Sequence, residues 1–214
     1  AFFYLFNLFS GTFSNSNKKK TIVLPLVPEY IGYADQGLEA DTFVGIPATF
    51  TMSNNHTFKY NVDFEKLENY LEKHDNVGAL CVSRPTNPTG NVLTNEEISR
   101  LSILAKKYDI PLMVDNAYGL PWPDIIFDDN AIPYWDENVI LSMSLSKIGL
   151  PSLRTGIIIA EKRVITALSN LNAIVALASG SLGQAIAGDL IKDGSLVDAA
   201  KKYVKPFYYE KSIK

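Results

Sequence analysis

Short apolar runs that alternate with amphipathic helices leave this chain few architectures to choose from. Thr21 to Val27 reads as a compact strand and Val77 to Ser83 as an apolar one. Leu112 to Asp115, Val139 to Ser144 and Thr155 to Ala160 add three more. The segments between them carry helix signals. Asp63 caps a helix that runs to about Lys73, and Thr94 with Glu97 three positions on forms a capping box for a helix reaching about Tyr108. Apolar spacing predicts further helices over Ala1 to Phe9, Glu161 to Ala173 and from about Ser181, and Ser195 to Lys214 reads as a charged helix. Phe43 to Thr51 is a weaker extended segment interrupted by Pro47. Ser14 to Lys20 and Pro28 to Gly37 are loops. Strands separated by helices of this length predict an α/β fold, a three-layer α/β/α domain with a mainly parallel sheet.

Composition narrows the function classes. With 47% hydrophobic and 20% charged residues in 214, the chain has the balance of a soluble globular protein able to bury a core. A net charge of −3 gives no broad basic field for nucleic acid. The run Lys18, Lys19, Lys20 has no aromatic neighbours for base stacking and reads as a solvated loop. Cys81 is the single cysteine and lies in an apolar stretch, so we expect a buried thiol in a reducing compartment, the cytoplasm. The apolar start is far short of the roughly 20 residues that span a bilayer, and Asn7 interrupts it, so no membrane segment is expected. The chain enters its first helix without a cap, and its last helix stops without a closing signal; both suggest a piece of a longer protein.

Ligands of parallel sheets bind beyond the carboxyl ends of the strands, where loops open and following helices point their amino ends. Three polar segments fall at such ends. Pro85-Thr86-Asn87-Pro88-Thr89-Gly90 follows the strand ending at Ser83. Asp115-Asn116-Ala117-Tyr118-Gly119 follows Val114. Ser144-Leu145-Ser146-Lys147, with Arg154 downstream, follows Val139 to Ser142. Together they place an amide, a carboxylate, a phenol, a lysine and an arginine around one crevice, the inventory for holding an anionic, basic aromatic aldehyde.

These segments resemble the fold-type I aminotransferases, whose patterns are an Asn-Pro-Thr-Gly loop, an Asp-x-x-Tyr pair, and a Ser-x-x-Lys with a downstream Arg-x-Gly; all three occur here in that family's order. The stretches Phe3 to Phe9, Pro28 to Gly37 and Ser144 to Pro151 further resemble the branch that moves an amino group between valine and pyruvate. The resemblance implies pyridoxal 5'-phosphate as cofactor, amino acids and 2-oxo acids as substrates, and a homodimer. Lys147 is then the lysine that condenses with the cofactor aldehyde and carries a proton to and from the substrate α-carbon. Asp115 pairs with the pyridine nitrogen, and Tyr118 and Asn87 hydrogen-bond the cofactor's phenolic oxygen. Tyr30 stacks on the ring, while Ser144 and Arg154 bind the phosphate. Lys147, Asp115 and Tyr118 form the catalytic set. The same resemblance divides the chain into a cofactor-binding large domain, 1–194, and a helix, 195–214, leading toward a C-terminal small domain. A glycine/serine phosphate loop upstream and a substrate-carboxylate arginine downstream would lie outside these residues, so the isolated piece is expected to be inactive. Alternatives are another enzyme of the same fold type, an aromatic aminotransferase or a β-lyase, and the aminotransferase-like sensor domain of a transcriptional regulator.

The other conspicuous residues read as structural. Arg84 suggests a structural salt bridge, and Trp122 and Trp135 packing anchors. His56 and His74 lack a second ligand at metal spacing, so no metal site is expected. Gly180, Gly183 and Gly188 do not follow a strand as a dinucleotide loop would. The Asn55-His56-Thr57 sequon has no meaning in the cytosol.

Overall fold

The computed structural model describes residues 1–14, 18–53, 56–128 and 130–213. Six strands form one sheet: β1 (Thr21–Val27), β2 (Phe43–Pro47), β5 (Val77–Ser83), β6 (Leu112–Asp115), β7 (Val139–Ser144) and β8 (Gly156–Ile159). They lie in the order β2-β1-β5-β6-β7-β8. Five run parallel, and β8 alone pairs antiparallel, through Ser144 opposite Gly156. A separate antiparallel hairpin joins β3 (Thr49–Met52) to β4 (Phe58–Asn61). Thus the expected single segment from Phe43 to Thr51 is two strands in two sheets, broken at Ala48. Its partner β4, Phe58-Lys59-Tyr60-Asn61, alternates aromatic and polar residues but is too short to stand out in sequence.

Period-two side-chain alternation sorts the sheet into two cores. Ile22, Ala79, Cys81, Met113 and Ile140 face one side, where α1 (Phe2–Phe9) and α4 (Lys162–Ala176) bring Leu5, Phe6 and Leu168 onto them. Their neighbours Val23, Leu80, Val82, Leu112, Val114, Val139 and Leu141 face the other side. There they meet Leu67 and Leu71 of α2 (Phe64–Lys73), Ile98 and Leu101 of α3 (Asn95–Lys107), Ala187 of α5 (Ser181–Lys192) and Leu196 of α6 (Ser195–Ala199). The result is the expected three-layer α/β/α arrangement. Each fully buried leucine or isoleucine in these layers contributes about 1.5–3 kcal/mol of apolar burial, which is why the strands need no polar relief along their length.

Helix ends follow the sequence signals. Asp63 accepts from Lys66 N at 3.1 Å. Thr94 Oγ1 accepts from Glu97 N at 3.1 Å while the Glu97 carboxylate accepts from Thr94 N at 2.9 Å, the reciprocal capping box. The expected helix from Ser195 is subdivided: α6 passes through one π-helical stretch, residues 200–204, into α7 (Lys205–Ser212). Lys205, at that junction, ties back to the buried Asp124 at 3.1 Å. Of the lysine run, Lys18 pairs with Asp75, and Lys19 with Glu39 at 3.7 Å. Trp122 is buried, but Trp135 is half exposed, so only the first anchors packing. Residues Asn15 to Asn17, Asn55 and Lys214 lie outside the described set, and with them parts of the expected loop, sequon and terminal helix. No described helix is long and apolar enough to cross a membrane.

Candidate active site

The strand order reverses next to β1: the chain steps from β1 outward to β2, then returns past β1 to lay down β5, β6 and β7 on the other side. Loops leaving β1 and β5 therefore part in opposite directions, and a crevice opens at their carboxyl ends. Register aligns those ends. Ser83 lies opposite Asp115, and Asp115 opposite Ser142, so the loops of β5, β6 and β7 start at one level.

A cavity of about 170 Å³ occupies this crevice, lined by Tyr30, Ser83, Pro85, Asn87, Asp115, Ala117, Tyr118 and Lys147. Five of the seven residues expected from sequence thus converge: Tyr30, Asn87, Asp115, Tyr118 and Lys147. The Lys147 ammonium sits 5.0 Å from the centre of the Tyr118 ring, over its electron-rich face. Ser144 and Arg154 do not line the cavity. Ser144 Oγ accepts from Ser146 N at 3.0 Å, which tightens the turn carrying Lys147. Arg154 is exposed, in a left-handed conformation (φ 48°), with its guanidinium 3.4 Å from the Pro151 carbonyl. A larger cavity, about 470 Å³, opens at the opposite edge of the sheet among Gly78, Lys106, Pro111, Asn138 and Arg163. Two of its cations are already neutralised, Lys106 by Asp136 at 2.6 Å and Arg163 by Glu161 at 2.8 Å. It lies at the amino ends of the strands. The smaller cavity is the candidate site, because convergent polar groups and not volume distinguish one.

Asp115 forms the floor. Tyr33 Oη donates to its Oδ2 at 2.8 Å and Ala117 N to its Oδ1 at 3.0 Å. Burial nevertheless pushes its carboxyl above the ordinary carboxylate range, the two hydrogen bonds offsetting only part of that rise. A buried carboxylate in this state is primed to take a cationic partner. Beyond Asp115 the backbone turns sharply. A Cβ on Gly119 would stand 2.0 Å from Asn116 Oδ1 and 2.5 Å from the Arg84 carbonyl, so only glycine lets the Tyr118 loop close against β5.

Sequence reasoning missed two residues that support this floor. Tyr33, in the 3₁₀ turn of residues 31–36, is 1% exposed and delivers its hydroxyl to Asp115. Glu29 accepts from Ser83 N at 2.9 Å, from Tyr30 N at 2.8 Å and from the Ser83 hydroxyl. Both lie in the tyrosine-rich loop after β1. The spacing of Tyr33 three residues beyond Tyr30 was the available signal, but it only becomes a direction once the loop is known to wind as a 3₁₀ turn. Arg84 corrects an expectation. No described carboxylate lies within ion-pair reach; its guanidinium donates instead to the Leu93 carbonyl (2.8 Å), the Ile132 carbonyl (3.0 Å) and Asn95 Oδ1 (2.8 Å). It fastens the far end of the Asn87 loop, while burial lowers its proton affinity. The Cys81 thiol is fully buried and its pKa is pushed well above the ordinary thiol value by burial, which leaves it unreactive. Among the described residues no three His, Cys, Asp or Glu side chains gather as a metal site.

A lysine, a buried acid, a phenol and an amide around one crevice of a parallel sheet are groups that could together capture a carbonyl-bearing aromatic ligand. The chain belongs to the class I and II aminotransferase family, whose sequence model matches residues 17–207. It is 50% identical over 211 residues to the valine–pyruvate aminotransferase of Escherichia coli K12, an alignment covering 99% of this chain and 49% of that protein. The crystal structure of the valine–pyruvate aminotransferase of Salmonella typhimurium LT2 superposes with a TM-score of 0.86 at 48% identity, covering 99% of this chain and 50% of that one. More distantly, the transcriptional regulator NorG of Staphylococcus aureus (strain bovine RF122) is 28% identical over 179 residues, 81% of this chain and 37% of that protein. The chain spans about half the length of the E. coli aminotransferase.

Proposed function

We propose that this chain is the cofactor-binding portion of a pyridoxal 5'-phosphate-dependent aminotransferase that moves the amino group between L-valine and pyruvate, giving 3-methyl-2-oxobutanoate and L-alanine. One observation carries the reading: four loops distant in sequence bring Tyr30, Asn87, Asp115, Tyr118 and Lys147 to one cavity, with a buried carboxyl at its floor. When bound, the cofactor supplies an aldehyde that an amine can capture and a pyridinium ring that accepts the electrons left at the substrate α-carbon. The residues fit such a group. Asp115, destabilised by burial, gains most from a protonated ring nitrogen. Tyr118 and Asn87 supply hydrogen-bond donors to a phenolate oxygen, and Tyr30 an aromatic face for stacking. Lys147 Nζ would hold the aldehyde and would take and return the proton at the substrate α-carbon, as general base and then general acid. Ser144 and Arg154 lie outside the cavity and are assigned to the phosphate by the sequence pattern alone.

In this reading residues 1–194 are the large domain and 195–214 lead toward a small domain. The assembly is a homodimer in the cytoplasm; the lone, buried Cys81 supports a reducing compartment. Valine as donor and pyruvate as acceptor rest on the two valine–pyruvate aminotransferases above. The full-length protein, titrated with pyridoxal 5'-phosphate, should show the visible absorption band of a lysine-bound aldehyde and transaminate valine with pyruvate. Lys147→Ala should abolish both. A band retained in that variant would remove Lys147 from the role, and turnover of other amino donors in place of valine would overturn the substrate assignment.

A further inference from the structure

Glu29 has no role in the chemistry above, yet it is mostly withdrawn from solvent and held by three donors. Its carboxylate reaches from the loop after β1 to Ser83, the last residue of β5, and takes both the backbone N–H and the hydroxyl of that residue. Ser83 is 4% exposed, lines the cavity and stands opposite Asp115 in the sheet. The third donor is the N–H of Tyr30. One side chain therefore fastens the root of the Tyr30 loop to the strand end beside Asp115.

We infer that Glu29 is a positioning residue of the cofactor site: by clamping the loop of residues 28–36 to Ser83 it keeps Tyr30 at the cavity and Tyr33 on Asp115, and its negative charge reinforces that of Asp115 beneath the ring. Two contacts depend on the clamp. The Tyr30 and Tyr33 rings meet edge to face at 5.3 Å, so the two move together, and Tyr33 Oη is one of the two donors to Asp115. The charge matters as well as the anchor. Asp115 raises the proton affinity of Glu29, in the same direction as burial, so a second carboxylate stands at Ser83, behind Asp115 and within electrostatic reach of it. The titratable groups around Glu29 are Tyr30, Tyr33, Cys81 and Asp115, with Lys147 across the cavity.

This inference rests on the proposed cofactor reading, and the test separates the two. The full-length protein is prepared as wild type, Glu29→Gln, Glu29→Asp and Lys147→Ala. For each we would measure cofactor affinity from the visible band, the pH midpoint of that band, and the unfolding temperature of the cofactor-free form. Loss of hydrogen bonds to a charged group predicts affinity weakened roughly ten- to a hundredfold in Glu29→Gln. The midpoint of the band should fall in Glu29→Gln, because an anion that favours the protonated ligand is gone. Glu29→Asp, which keeps the charge, should restore the midpoint even where its shorter reach leaves affinity weakened. A residue with a merely structural role would lower the unfolding temperature in both variants and leave the midpoint where it is. That result, or wild-type affinity in Glu29→Gln, overturns the inference. Absence of any band in the wild type, or its persistence in Lys147→Ala, overturns the cofactor reading instead.

Discussion

Replacing Tyr33 by phenylalanine removes one oxygen from the floor of the site and little else. The ring would stay seated against Phe2 (5.3 Å), Phe6 (5.2 Å) and Tyr30 (5.3 Å), so packing is preserved. What disappears is the 2.8 Å hydrogen bond to Asp115 Oδ2. A hydrogen bond to a charged acceptor contributes about 1.5–3 kcal/mol. Its loss leaves Ala117 N as the remaining donor to a carboxyl that burial already pushes above the ordinary range. Asp115 then holds its proton to higher pH and is neutral where a ring nitrogen needs an anion. In the full-length enzyme, kcat/KM at mildly acid pH should fall about ten- to a hundredfold. Activity should recover as pH rises, with the acid limb of the profile displaced upward. Steady-state kinetics across pH would measure this directly. A loss equal at every pH, or no displacement of the acid limb, would refute the argument that the hydroxyl acts through Asp115.

Asp115→Asn should abolish transamination yet stabilise the cofactor-free fold. The folded carboxyl binds its proton more tightly than the unfolded one, so its stabilisation is complete below the unfolded pKa, about 3.9, and is lost as pH rises through the higher folded value. The variant's advantage in thermal unfolding should accordingly be present at neutral pH and shrink toward acid pH. Arg84→Met strands the Leu93 and Ile132 carbonyls and leaves Asn95 Oδ1 with the Ile132 N–H as its remaining donor, and should destabilise the fold by about 2–4 kcal/mol in denaturant titrations. Thr94→Ala breaks the capping box of α3 and should lower stability by about 1 kcal/mol without changing cofactor affinity.

Local rules were written plainly into the residues. Periodicity gave the strands and helices, Asp63 and Thr94 with Glu97 marked helix starts, and the polar segments after Ser83, Val114 and Ser142 marked where a ligand would sit. These features are legible because they depend on neighbours only a few positions apart. Other features depend on partners far along the chain. The antiparallel sense of β8, the assignment of Phe43–Pro47 and Thr49–Met52 to different sheets, and the capture of Arg84 by carbonyls in place of a carboxylate are decided by which strands and loops meet. The same holds for the site. Sequence named Lys147, Asp115, Tyr118, Asn87 and Tyr30, but it could not show that Glu29 reaches Ser83 across 54 residues or that Tyr33 reaches Asp115 across 82. Propensity and capping act through the local backbone, whereas the state of a buried carboxyl is set by whatever the fold packs around it, and only the assembled sheet brings those groups together.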